Sequence, residues 1–105
     1  MPQSREGFQD GKRVLLVHAK WCGHCRTLLE KGGVWESTKR ELPGIRFEET
    51  EESQATDLIA SLSITAFPDI RIVDASGASL AKYEGPQDRK SLKKFILSEI
   101  SPDQS

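Results

Sequence analysis

The sequence predicts an α/β domain built on one mixed sheet with helices on both faces. Three observations carry that prediction. Short apolar, β-rich runs such as "KRVLLVHA" (12 to 19) and "FPDIRIVD" (67 to 74) read as strands. Between and after them, apolar residues recur at helical spacing. Turn residues cut the chain into the order strand, helix, strand, helix, strand, strand, helix.

The first strand, "KRVLLVHA", suits a position buried on both faces at the centre of the sheet. From Cys22 to Leu42, the residues Leu28, Trp35 and Leu42 repeat every seven positions, as on a helix with one apolar seam. Gly32 and Gly33 interrupt it, each costing roughly 1 kcal/mol against Ala in a helix interior, so two helical pieces are expected. Pro43-Gly44 stops the second piece, and "IRFE" (45 to 48) reads as a strand. "EETEE" (48 to 52) concentrates like charges and reads as a solvated loop. Ala55, Leu58, Ile59 and Leu62 then form the apolar face of a short helix. After the strand at 67 to 74, "DASG" turns the chain and "SLAKYEG" (79 to 85) returns antiparallel. Asp88 is the expected N-cap of a last helix with Leu92, Phe95, Ile96 and Ile100 facing the core.

At 105 residues the chain has the size of one domain, 1–105, and can bury a core without disulfides. Fifteen Lys and Arg against sixteen Asp and Glu leave no net field to recruit nucleic acid or an anionic lipid surface. The longest apolar run, "VLLV", is far too short to span a bilayer. Residues 1 to 11 lack the apolar stretch of a secretory signal, so the sequence as written reads as cytoplasmic, with a secretory compartment open if it is an excised domain.

The chemistry concentrates in "AKWCGHCRTL" (19 to 28), which holds the two cysteines of the chain. If a helix starts at Cys22, then Cys22 and Cys25 share its face at about 5 to 6 Å between Cβ atoms, near the separation a disulfide accepts. Cys22 at the helix start faces unpaired amides and the positive dipole end, which favour a thiolate, whereas Cys25 lies one turn inside. Cys22 is thus the expected nucleophile and Cys25 the resolving thiol. A structural disulfide, a metal site using Cys22, Cys25, His24 and His18, and a metal or iron–sulfur cluster shared across a dimer remain alternatives. C-x-x-C beside a β-α-β pattern favours the redox use, with no metal and no cofactor.

"WCGHC" after an apolar strand, with "ITAFPDI" some forty residues later, resembles the thioredoxin superfamily, and C-G-H-C is the form typical of protein disulfide isomerase domains. The resemblance runs over residues 12 to 100 and implies a thioredoxin-like mixed sheet. It implies that Pro68 is a cis proline facing the dithiol, and that Phe67 before it offers backbone to an extended substrate, a form of strand addition. Trp21, Gly23, Phe67 and Pro68 are the implied substrate contacts. His24, between the cysteines, can hydrogen-bond to the Cys22 thiolate or place charge near it, stabilising the reduced form. Thioredoxin and protein disulfide isomerase potentials differ by roughly 90 mV, about 4 kcal/mol for two electrons, and this chain is expected toward the isomerase end.

The chain also departs from that pattern. Members of the family usually carry a buried carboxylate six residues before the first cysteine, where this chain has Leu16. His18 points to the same side by strand alternation and could take over the proton, or simply be a half-buried histidine tied to backbone. The lysine that often accompanies the carboxylate is absent, with Glu48 and Glu49 ending the second strand, and Gly32-Gly33 stands in for a helix-kinking proline. About eleven residues precede the central strand, so a shortened N-terminal element is expected. The expected function is thiol–disulfide exchange on protein thiols and disulfides, in a monomer, with glutathione or a reductase as electron partner. A thioredoxin-type reductase and a non-catalytic peptide-binding module are the alternatives.

Overall fold

The computed structural model describes residues 11–100. Its elements are β1 (Arg13–His18), α1 (Gly23–Leu29), α2 (Val34–Glu41), β2 (Phe47–Glu51), a single 3-10 turn (Glu52–Gln54), α3 (Thr56–Leu62), β3 (Asp69–Val73), β4 (Ser79–Lys82) and α4 (Arg89–Glu99). The shortened N-terminal element lies in residues 1–10, outside the described residues.

The strands form a mixed sheet in the order β2-β1-β3-β4. β1 runs parallel to β2 and antiparallel to β3, and β4 returns antiparallel on β3 with an irregularity at Ile72/Val73. β1 is central because its apolar residues serve two cores at once. Val14 and Leu16 pack with Leu28, Trp35, Leu42, Leu92, Ile96 and Ile100 beneath α1, α2 and α4. Leu15 and Val17 pack with Ala55, Leu62 and Val73 on the opposite face, under α3. All four β1 residues are buried, each side chain contributing about 1.5 to 3 kcal/mol by leaving water. Helices therefore cover both faces.

The seven-residue seam of Leu28, Trp35 and Leu42 holds, and all three lie in one core. Its carrier is broken in two at the expected glycines. Gly32 has φ +74°, a backbone that side chains rarely adopt. Gly33 is the N-cap of α2, and a Cβ there would stand 2.9 Å from the Glu30 carbonyl oxygen. Asp88 caps α4 as expected, its carboxylate accepting from the Ser91 amide at 2.7 Å.

One expectation is overturned. "EETEE" is not a solvated loop: Phe47 to Glu51 is strand, in register with β1 from Val14↔Phe47 to His18↔Glu51. Charge crowding is relieved because successive carboxylates find separate partners. Glu48 pairs with Arg13 at 2.8 Å, and Glu49 accepts from the Trp35 indole at 3.0 Å and pairs with Lys39 at 3.2 Å. The parallel ladder with β1 then outweighs the poor strand preference of glutamate.

Candidate active site

Three segments converge on the dithiol. The first is the end of β1, where the chain leaves the sheet at His18 and turns, the Cys22 amide donating to the Ala19 carbonyl at 3.1 Å. Cys22 is the N-cap of α1, not its first helical residue, with extended backbone at φ −90° and ψ 115°. Its sulfur accepts from the Cys25 amide at 3.2 Å, the part a serine or aspartate oxygen usually plays at a helix start. This contact brings the sulfur of one cysteine against the backbone of the other.

The second segment is the turn before β3. Phe67-Pro68 is a cis peptide, as the resemblance implies. The Cys22 thiol donates to the Phe67 carbonyl at 3.6 Å, so the residue before the cis proline faces the first cysteine. Phe67 also packs with Ala19, Cys22 and Cys25. The strand that follows is tied down by a buried ion pair: Arg71 donates to both carboxylate oxygens of Asp69, at 2.7 and 3.1 Å. Asp69 follows Pro68 directly, so the pair lies at the start of β3, next to the turn.

The third segment is the 3-10 turn after β2. Trp21, 66% exposed, meets Phe67 edge-on at 5.8 Å between ring centroids, and its indole N–H donates to Glu52 at 2.5 Å. Glu52 was missed in the sequence, where it belonged to the supposed loop. No local signal marks it, since it lies 31 residues from Trp21.

The two sulfurs differ. Cys22 retains 7% of its surface and Cys25 only 1%. Burial, reinforced by the Cys22 hydrogen bond, pushes the Cys25 thiol up from 9.0 to about 11. Cys22 is the less buried of the two and contacts the Cys25 amide; Cys25 is held as a thiol. His24 is exposed on the first turn of α1, and its imidazole makes no hydrogen bond to the Cys22 sulfur among the described residues. Of its two expected modes of action, the nearby charge is the one this geometry leaves. Gly23 has nothing within 4 Å of where a Cβ would stand, so the space beside Cys22 is open. Leu16 is fully buried in the core, where it offers no proton acceptor. Beneath Cys25 lies a cleft of about 460 Å³ lined by His18, Ala19, Lys20, Cys25, Arg26 and Leu29.

Comparison with known proteins agrees with this arrangement. The family model described as Thioredoxin matches residues 5–98. Protein disulfide isomerase-like 2-3 of Oryza sativa is 31% identical over 83% of this chain and 20% of its own length. Among solved structures, the first thioredoxin domain of mouse protein disulfide-isomerase A4 superposes with a TM-score of 0.73 at 20% identity, covering 99% of this chain and 75% of that one. Fasciola hepatica thioredoxin superposes with a TM-score of 0.71 at 23% identity, over 92% and 88%. The chain spans about a fifth of the length of the first curated relatives it resembles. A mixed sheet with helices on both faces, a C-x-x-C at the start of a helix and the matched family model together place this chain in the thioredoxin family, as a domain of the protein disulfide isomerase-like kind.

Proposed function

We propose that this domain catalyses thiol–disulfide exchange on protein substrates, with Cys22 as nucleophile and Cys25 as resolving thiol. The observation that carries the reading is the contrast between the sulfurs: one capped by an amide at the rim, the other buried and held as a thiol. The Cys22 thiolate attacks one sulfur of a substrate disulfide. A Cys22–substrate bond forms, the substrate S–S bond breaks, and the leaving thiolate is protonated. Cys25 then loses its proton and attacks the Cys22 sulfur, releasing the second substrate thiol. Two electrons have passed to the substrate and a Cys22–Cys25 disulfide remains. Run in reverse, the cycle oxidises a dithiol.

The substrate chain is expected on the surface around Trp21 and Phe67, pairing as an extended segment with the backbone before Pro68. The exposed His24 favours the reduced form through charge, and with it oxidation or isomerisation over reduction. Glutathione or a reductase is the expected electron partner. Insulin reduction in dithiothreitol tests the reading: acceleration over dithiothreitol alone, lost in Cys22→Ser, supports it. A rate no faster than free dithiothreitol would leave only a peptide-binding module.

A further inference from the structure

Resting on the exchange cycle just described, a second question arises at Cys25. Its sulfur must lose a proton to attack, yet it is 1% exposed, so bulk water does not reach it freely. The side chains that share its cleft are His18, Ala19, Lys20, Arg26 and Leu29. Ala19 and Leu29 do not titrate, and Lys20 and Arg26 are cations with no acceptor to offer near neutral pH. The Arg26 guanidinium is moreover turned to the Lys20 carbonyl at 2.8 Å. Of the side chains lining this cleft, the His18 imidazole is the one that offers a nitrogen lone pair as acceptor.

His18 ends β1 and is half-buried, on the side of the sheet to which Leu16 points. Its neighbour in register on β2 is Glu51. That carboxylate accepts from the Ser53 amide at 3.1 Å and is held below its usual range by Ser53, with help from the Lys20 backbone and charge. It stays anionic. On β3, Asp69 pairs with Val17 and is committed to Arg71. Cys25 and Arg26 from α1, Lys20 from the turn and Glu51 from β2 are thus the ionisable groups around the imidazole.

We propose that His18 is the proton acceptor for Cys25, acting across this cleft either directly or through one water, for which a cleft of this size has room. When the mixed disulfide on Cys22 is resolved, the Cys25 S–H proton passes to the imidazole and the Cys25 sulfur bonds to Cys22. The Cys22–substrate bond breaks, and the departing thiolate takes its proton from the imidazolium or from solvent. No oxidant beyond the substrate disulfide is needed.

The test separates the two steps. Reduced protein is mixed with oxidised glutathione, quenched in acid at intervals, and the Cys22–glutathione adduct is counted by mass. In His18→Gln, resolution of the adduct is expected to slow by about 10²-fold or more, in the range that a positioned base contributes, while adduct formation is not the slowed step. The pH profile of the resolution rate is expected to differ between the unaltered protein and His18→Gln, which the loss of packing alone would not cause. His18→Asp, which supplies another acceptor, recovers part of the rate. Resolution in His18→Gln at the unaltered rate and with the same pH profile overturns the role of His18 alone. Failure of the unaltered protein to form any Cys22 adduct overturns the exchange cycle itself, and this proposal with it. If His18→Gln fails to fold, His18→Asn is read by the same two rates.

Discussion

The Cys22 sulfur lies 3.6 Å from the Phe67 carbonyl oxygen, although 45 residues separate them in the chain. The first residue of the dithiol therefore sits under the backbone that precedes the cis Phe67-Pro68 bond, between the start of α1 and the start of β3. An incoming disulfide that docks on that backbone meets Cys22 before it meets Cys25.

Selective alkylation follows from the contrast in burial. At pH 7, iodoacetamide is expected to label Cys22 at least tenfold faster than Cys25, whose thiol is pushed up to about 11. Peptide mapping by mass spectrometry reads the ratio directly. Equal slow labelling of both would contradict the asymmetry.

The same shift has a consequence for stability. The folded state holds the Cys25 proton more tightly than the unfolded chain, so this contribution is complete below pH 9.0 and is lost as pH rises toward about 11. The urea midpoint of the reduced protein should fall across that window, and fall less in Cys25→Ala. A parallel decline in both would assign it to other groups.

His24→Ala removes the imidazole beside Cys22 and should shift equilibrium with glutathione toward the disulfide form. A drop of about 30 mV corresponds to roughly 1.4 kcal/mol for a two-electron couple and is well resolved by redox titration. An unchanged potential would take His24 out of the electrostatics of the site.

Asp69→Ala leaves the buried Arg71 guanidinium without its carboxylate. Breaking a buried pair from one side costs about 3 to 5 kcal/mol. Thermal unfolding should show the loss, and slower exchange is expected with it because Asp69 directly follows Pro68. Retention of full stability would show that Ser79, 3.3 Å from the guanidinium, compensates alone.

Trp21→Ala takes away the edge-on contact with Phe67 and the hydrogen bond to Glu52. Its effect is expected in KM for a peptide disulfide, by about threefold to tenfold, with little change for glutathione, which is too short to span the surface around Trp21 and Phe67. Glu52→Gln, which keeps a hydrogen-bond acceptor, should be nearly silent. An equal loss with both substrates would place Trp21 in the chemistry instead of the docking.

Local spacing was enough to read much of this molecule. The seven-residue seam of Leu28, Trp35 and Leu42, the break at Gly32-Gly33 and the Asp88 cap each depend on neighbours within a turn or two of helix. The cysteine pair is legible for the same reason, since residues three apart at a helix start must approach each other. What escaped was the continuation of the second strand from Glu49 to Glu51, because its stability comes from the ladder with β1 and from Trp35 and Lys39 on another element.

From the sequence alone came the αβ order, the central strand and the dithiol, all consequences of periodicity and near-neighbour geometry. Tertiary structure decided the rest. It set Glu52 on the Trp21 indole, put the Phe67 carbonyl above Cys22, and enclosed Cys25 with His18 in one cleft. The physical reason is that such contacts join residues distant in the chain, and their energy exists only once the sheet has fixed its register.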